Sequence, residues 1–209
     1  MDSLIEKNLK GVVQYARRDP LAAERRATAP VSSFVWIGCS DSPFPAHETL
    51  WLEPEGGLIH RNLGNQASAQ DLGLYATFQM ALTMMALPKI VVCGHYNCAC
   101  MQTVVTQKSE GVLSHWLQPL YDLYRRHEPE LIAIARTQDR ANRLAELNVR
   151  AQLSALANNT LIREHWGRHK RLEIHGVVYS HRDGLLRDLG VTLNSLSSAD
   201  ALLSGMIRL

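Results

Sequence analysis

Apolar residues at Leu4, Ile5, Leu9, Val12, Val13 and Tyr15 recur at the spacing of one helical face, predicting a helix over 2–18 that Asp19-Pro20 ends. A second short helix is expected over 21–27. The pattern then changes to an unbroken apolar run of strand length, Phe34-Val35-Trp36-Ile37-Gly38, entered from Ala29-Pro30. Pro43 and Pro45 force the chain after Asp41 to be extended or turned. A turn at Glu53-Pro54-Glu55-Gly56-Gly57 leads to a short strand, Leu58-Ile59-His60-Arg61-Asn62.

Gly64-Asn65 introduces a helix of about 68–87 that is apolar nearly all round and stops at Pro88. Such a helix is expected to be buried on more than one side, against a sheet and a second subunit. The next strand runs through Val91, Val92 and Cys93 to Gly94. A strand–helix–strand order implies a right-handed crossover and parallel strands. Helices near 99–106, 113–126 and 139–158 follow, then a strand over 172–179, a turn at His181-Arg182-Asp183-Gly184, and a hairpin partner over 185–189. Residues 195–209 are expected to form a short helix or a loosely held arm. The fold class is α/β, a mainly parallel sheet flanked by helices, in a single domain.

The chain has 209 residues, 46% of them hydrophobic and 20% charged, which is globular usage with enough length for a full core. A formal net charge of +2 gives no reason to expect nucleic acid or an anionic membrane as partner. The longest apolar tract, Thr77 to Leu87, is too short to span a bilayer, and Met1–Lys7 lacks the form of a signal peptide. All four cysteines lie between residues 39 and 100, and three crowd into 93–100. A disulfide framework would spread them, so a cytoplasmic or other reducing compartment is expected.

Two apolar strands therefore end in metal-ligand chemistry. One stops at Cys39, with Asp41 two residues on; the other presents His95 and Cys98 just past its glycine. In α/β proteins the carboxyl ends of parallel strands are where ligands sit. The residues predict zinc held by Cys39, His95 and Cys98, with a fourth position open to water or to Asp41. Cys93 reads as core, and an H-x-x-C half-site is less specific than paired C-x-x-C knuckles.

Cys39-Ser40-Asp41-Ser42, His60-Arg61-Asn62, Gly94-His95-Tyr96-Asn97-Cys98, Glu146-Leu147-Asn148-Val149 and Ile174-His175-Gly176 with Asp183-Gly184-Leu185-Leu186-Arg187 closely resemble the β-class carbonic anhydrases, bacterial type. The resemblance runs in order from about residue 30 to 195. It implies a zinc lyase interconverting carbon dioxide and bicarbonate, working as a homodimer or dimer of dimers with sites at the subunit interface. It makes Cys39, His95 and Cys98 the zinc ligands and Asp41 the catalytic carboxylate. It divides the chain into an N-terminal helical arm (1–30) reaching to a partner subunit, a zinc-binding core (31–190) and a C-terminal tail (191–209).

The chain departs from this family where the chemistry is densest. The family's arginine two residues after the aspartate is Pro43, so the cation that holds the carboxylate off the metal is missing. Without a substitute, for which Arg61 is a candidate, Asp41 is expected to prefer the fourth zinc position. The family's two glycines after the second cysteine are Ala99 and Cys100, which reshape the substrate pocket. Cys100 is a candidate for alternative ligation or redox chemistry as well as for packing. A glutamine ahead of the first strand is Pro30. Trp36, Arg61 and Tyr179 match a non-catalytic bicarbonate site of the regulated type, although Trp36 also suits simple packing; His47 is a candidate proton shuttle. The other histidines form no second ligand cluster. These departures leave two alternatives beside weak or altered carbon dioxide hydration. One is a zinc hydrolase or lyase acting on carbonyl sulfide, carbon disulfide or a specialised metabolite. The other is a silent paralogue.

Overall fold

The computed structural model describes residues 2–21, 24, 33–43, 57–168 and 170–205. Five strands form one sheet in the order β2-β1-β3-β4-β5: β1 (Val35–Cys39), β2 (Leu58–Asn62), β3 (Lys89–His95), β4 (Glu173–Ser180) and β5 (Leu185–Leu193). The first four are mutually parallel and β5 returns antiparallel beside β4, as the turn at 181–184 predicts. Every residue of β1 is buried, which is why its sequence runs apolar without alternation.

Nine helices are described: α1 (Asp2–Arg18), α2 (Leu72–Gln79), α3 (Ala99–Thr106), α4 (Gly111–Trp116), α5 (Gln118–Arg126), α6 (Glu128–Ile132), α7 (Thr137–Ala157), α8 (Thr160–Gly167) and α9 (Leu196–Leu203). The expected helix over 113–126 is two helices, because Leu117 ends α4 and Pro119 fits the first turn of a new one. The expected 68–87 helix starts only at Leu72 and passes into a π-turn over Met80–Met84. It is not buried all round in this chain. Leu74, Phe78, Ala81 and Leu82 face the core, while Leu72 and Met84 are 82% and 78% exposed. The tail expected at 195–209 begins with α9, whose Ala199 and Leu202 pack into the core. The helix expected over 21–27, and Pro30, Pro45, His47 and nearly all of the 53–57 turn, lie outside the described residues.

The long helix α7 organises the layer over β3 and β4. Val149, Leu153 and Leu156 are wholly or almost wholly buried against Ile90, Val92, Ile174 and Val178. Burying each such side chain contributes roughly 1.5–3 kcal/mol. The helix sits low because two strand residues carry no side chain. A Cβ on Gly94 would stand 2.8 Å from Val149 Cγ2, and one on Gly176 would stand 2.8 Å from Leu153 Cδ1. On the other face, Phe34, Trp36, Cys93 and Tyr179 make a smaller cluster. Burial pushes the Cys93 thiol well above the usual thiol range, as suits a core residue.

The entry to α2 carries a pH-dependent element. Asp71 caps the helix by accepting the Leu74 N–H at 3.1 Å, and its other oxygen meets Asn62 Nδ2 at 3.0 Å and His60 Nε2 at 2.8 Å. Burial pushes its pKa up, but the bonds from Asn62, Leu74 and His60 outweigh burial and hold it below the usual carboxylate value. The stabilisation is therefore present above pH about 4 and lost as pH falls through the lower folded-state value. Asp71→Asn should narrow its stability gap to the wild type as urea denaturation is repeated from pH 5 down to pH 2.5. A gap independent of pH would contradict this role.

Candidate metal centre

The strand ends converge as the register dictates. Cys39 closes β1 and His95 closes β3, neighbouring parallel strands. Asn97, in the left-handed region at φ 60°, turns the chain from β3 into α3 within three residues, and asparagine tolerates that conformation better than most side chains. The Asn97 N–H is held by Asn142 Oδ1 at 2.9 Å. Cys98 lands at the N-cap of α3, where its sulfur caps nothing and is free for other work.

The donors form two overlapping triplets. The sulfurs of Cys39, Cys98 and Cys100 lie within 4.8 Å of one another, as do the ligand atoms of Asp41, His95 and Cys98. Cys39 and Cys98 Sγ are 3.8 Å apart. Two sulfurs each about 2.3 Å from one ion at the tetrahedral angle would be about 3.8 Å apart. His95 is 3% exposed, and its Nε2 is a buried nitrogen without a hydrogen-bond partner. Its Nδ1 lies 3.1 Å from the Tyr96 carbonyl, which places the proton there and points the Nε2 lone pair into the site. A sulfur pair at the zinc edge length and an orphaned buried imidazole nitrogen fit zinc.

Charge in the metal-free cluster is concentrated on one sulfur. Hydrogen bonds from Cys100 and Cys98, with the Gly64 N–H, hold Cys39 far below the usual thiol range despite burial. The hydrogen bond Cys100 gives to Cys39 pushes Cys100 up to about 12, and Cys98, bonded to Cys100 and Cys39, moves up as well. The Gly64 N–H reaches Cys39 Sγ at 3.2 Å because Gly64 has φ +81°, a conformation that penalises any side chain. Asn148 Nδ2 holds the Gly64 carbonyl at 2.8 Å, and Gln152 Nε2 holds Asn148 Oδ1 at 2.7 Å.

Asp41 stands beside this centre, its Oδ2 3.7 Å from His95 Nε2 and its side chain 30% exposed. Its partner is a main-chain donor: Ala99 N–H meets Oδ2 at 2.7 Å, at the positive end of α3. Pro43 is exposed. Arg61 goes elsewhere. Its Nε and Nη2 donate to the Cys39 carbonyl at 3.1 and 2.8 Å, and Nη2 also meets the carbonyls of Ser40 and Ser42. It braces the turn carrying Asp41 rather than the carboxylate.

Trp36 and Tyr179 are buried in the small cluster on one face of the sheet. Arg61 pairs in register with Gly38 and Tyr179 with His95, so strand alternation puts all three residues on that face. Sequence reasoning missed His181. Its Nε2 lies 3.1 Å from His95 Nδ1 and its ring stacks edge-on against those of His95 and Tyr179. Burial, then the closeness of the His95 ring, lower its pKa, while the Asp41 charge raises it. A usable signal was its place just past β4, where adjacency to β3 brings the turn over His95.

A mainly parallel sheet with sulfur, imidazole and carboxylate donors at adjacent strand ends is the framework of a metal-dependent α/β enzyme. A family model described as carbonic anhydrase matches residues 34–186, and the chain belongs to that family. It is 34% identical to a carbonic anhydrase of Emericella nidulans over 190 residues, 91% of this chain and 83% of the relative. Among solved structures, a tetrameric β-carbonic anhydrase of Sordaria macrospora is 32% identical with a TM-score of 0.82, covering 92% of this chain and 98% of that one. The β-carbonic anhydrase CafA of Aspergillus fumigatus is 29% identical, also with a TM-score of 0.82, covering 98% of this chain and 97% of that one.

Proposed function

We propose that this chain is a β-class carbonic anhydrase that interconverts carbon dioxide and bicarbonate, with Cys39, His95 and Cys98 holding the zinc. Bound zinc supplies Lewis acidity that makes water a nucleophile near neutral pH. The protein's own residues do the rest. Tyr96 O fixes the His95 tautomer, Gly64 N–H and the neighbouring thiols stabilise sulfur charge, and Asp41 offers carboxylate lone pairs to orient the reacting water. The observation that carries this reading is the 3.8 Å Cys39–Cys98 separation beside the orphaned His95 Nε2.

Asp41 orients that water because the Ala99 N–H holds it, the part played by an arginine in the resembled family. Ala99→Pro tests this cleanly. Proline is at home in a first helical turn, and Cys98 already has the extended φ −65°, ψ 125° that a following proline requires. A charge-assisted bond contributes about 1.5–3 kcal/mol. Stopped-flow assays at pH 7–9 should show zinc-dependent hydration for the wild type and a loss of about 10-fold or more for Ala99→Pro at equal zinc content. A zinc-loaded wild type without turnover would sink the assignment, and equal rates would sink the role given to Ala99.

The working unit is a homodimer or a dimer of dimers. Helix α1 supports this: Leu4, Ile5, Leu9, Val12 and Val13 are each at least 43% exposed along one stripe that a second copy would cover. Sedimentation should give at least a dimer for the wild type and smaller species for Leu9→Glu/Val13→Glu. Trp36, Arg61 and Tyr179 are proposed as a bicarbonate-responsive group on the shared sheet face. Among the described residues no helix is long and apolar enough to cross a membrane. Four free cysteines, three within one cluster, suit a reducing compartment such as the cytoplasm.

A further inference from the structure

We infer that His181 is a positioning residue for the metal's imidazole ligand, its Nε2 accepting the Nδ1–H of His95 from the turn that follows β4. The inference rests on the zinc site proposed above and adds an outer partner to it. Metal bound at His95 Nε2 leaves the ring proton on Nδ1. That N–H faces two acceptors, the Tyr96 carbonyl at 3.1 Å and His181 Nε2 at 3.1 Å. A nitrogen that receives this proton presents a lone pair, so His181 carries its own proton on Nδ1. Outer partners of this kind orient a ligating histidine and raise its basicity.

The turn that carries His181 is fastened to the metal-bearing segment at several points. Tyr179 lies opposite His95 in the parallel register of β3 and β4, and its carbonyl takes the Tyr96 N–H at 2.9 Å. Two residues on, the His181 ring packs edge-on against Tyr179, centroids 5.0 Å apart at 77°, and against His95, 5.1 Å apart at 60°. The Gly184 N–H closes the turn on the Ser180 carbonyl at 2.9 Å, with Gly184 at φ +72°. Just beyond, Arg187 donates to Asp183 Oδ2 at 2.6 Å and stands over the Tyr96 ring, 5.6 Å from its centroid. Tyr96 therefore serves both acceptors. Its carbonyl is one of them, and its ring anchors the turn that brings the other.

Packing alone asks only for a ring at position 181, whereas the inferred role asks for an acceptor where Nε2 stands. Phenylalanine keeps the ring and loses the acceptor; glutamine keeps an acceptor at similar reach and loses the ring. Competition with a chromophoric chelator measures the zinc affinity of each full chain. His181→Phe should bind zinc about 10-fold or more weakly, and His181→Gln should recover most of that loss. His181→Phe at wild-type affinity, or His181→Gln binding no tighter than His181→Phe, would overturn the role of His181 and leave the Cys39–His95–Cys98 site standing. A wild type that binds no zinc would overturn both. Should either variant fail to fold, long-range proton–nitrogen NMR of histidine-labelled, zinc-loaded wild type provides a second reading. His181 with a bare Nε2 and a protonated Nδ1 is expected, and a proton on its Nε2 would refute the inference.

Discussion

Serine in place of Cys98 is expected to empty the metal site while leaving the fold intact or slightly firmer. Cys98 belongs to both donor triplets, so no neighbouring set survives its loss. Hydroxyl oxygen is a poor zinc ligand. Removing even an outer partner of a metal ligand typically lowers affinity about 10–100-fold, and losing a ligand lowers it further. Zinc content should drop below roughly one tenth of the wild-type value, and carbon dioxide hydration by at least about 10³-fold as the activated water is lost. The N-cap of α3 responds in the opposite direction. Cys98 makes no side-chain cap bond there, and serine is among the best capping residues, contributing about 0.5–2 kcal/mol. Metal-free Cys98→Ser should therefore unfold at a urea concentration no lower than metal-free wild type. A lower midpoint would mean the sulfur supports the fold directly, and retained zinc would remove Cys98 from the ligand set.

The second large effect is expected far from any solvent. Asn148 is fully buried, its Nδ2 on the Gly64 carbonyl at 2.8 Å and its Oδ1 taking Gln152 Nε2 at 2.7 Å. Leucine has similar volume but leaves one acceptor and one donor unpaired in the core, each costing about 1–3 kcal/mol. Asn148→Leu should lower the unfolding free energy by about 3 kcal/mol in chemical denaturation. The same residue, Gly64, donates its N–H to Cys39 Sγ at 3.2 Å, so zinc should also leave about 10-fold faster when challenged with a chelator. Unchanged zinc release with the full stability loss would separate the core network from the site.

Much of this architecture is legible from the order of residues alone. The apolar runs at 34–38 and 91–94 are long enough for strands and too short for helices, and each ends in ligand chemistry. That places Cys39, His95 and Cys98 at one edge before any coordinate is known. What stays hidden is of three kinds. Short helices such as Glu128–Ile132 and Thr160–Gly167 hold too few turns for a periodic signal. Exposure depends on which partner covers a face, so the apolar Leu72 and Met84 give no warning that this chain leaves them uncovered. Main-chain donors carry no side-chain signature either. The Ala99 N–H that holds Asp41 and the Gly64 N–H that reaches Cys39 follow from backbone geometry. Pro43 offers no side-chain donor to Asp41, and nothing near it in the sequence announces the main-chain donor that does.

The depth of the donor set constrains how the ion arrives. Cys39, Cys98 and His95 are exposed by only 1–3% of their surface, and the turn carrying Asp41 beside them is pinned by Arg61 through the carbonyl groups of Cys39, Ser40 and Ser42. With that turn pinned, a hydrated cation should reach the buried donors slowly, so loading during folding is expected to be the faster route. Apoprotein refolded with zinc present should capture it promptly, whereas zinc given to already folded apoprotein must wait for the guanidinium to let go.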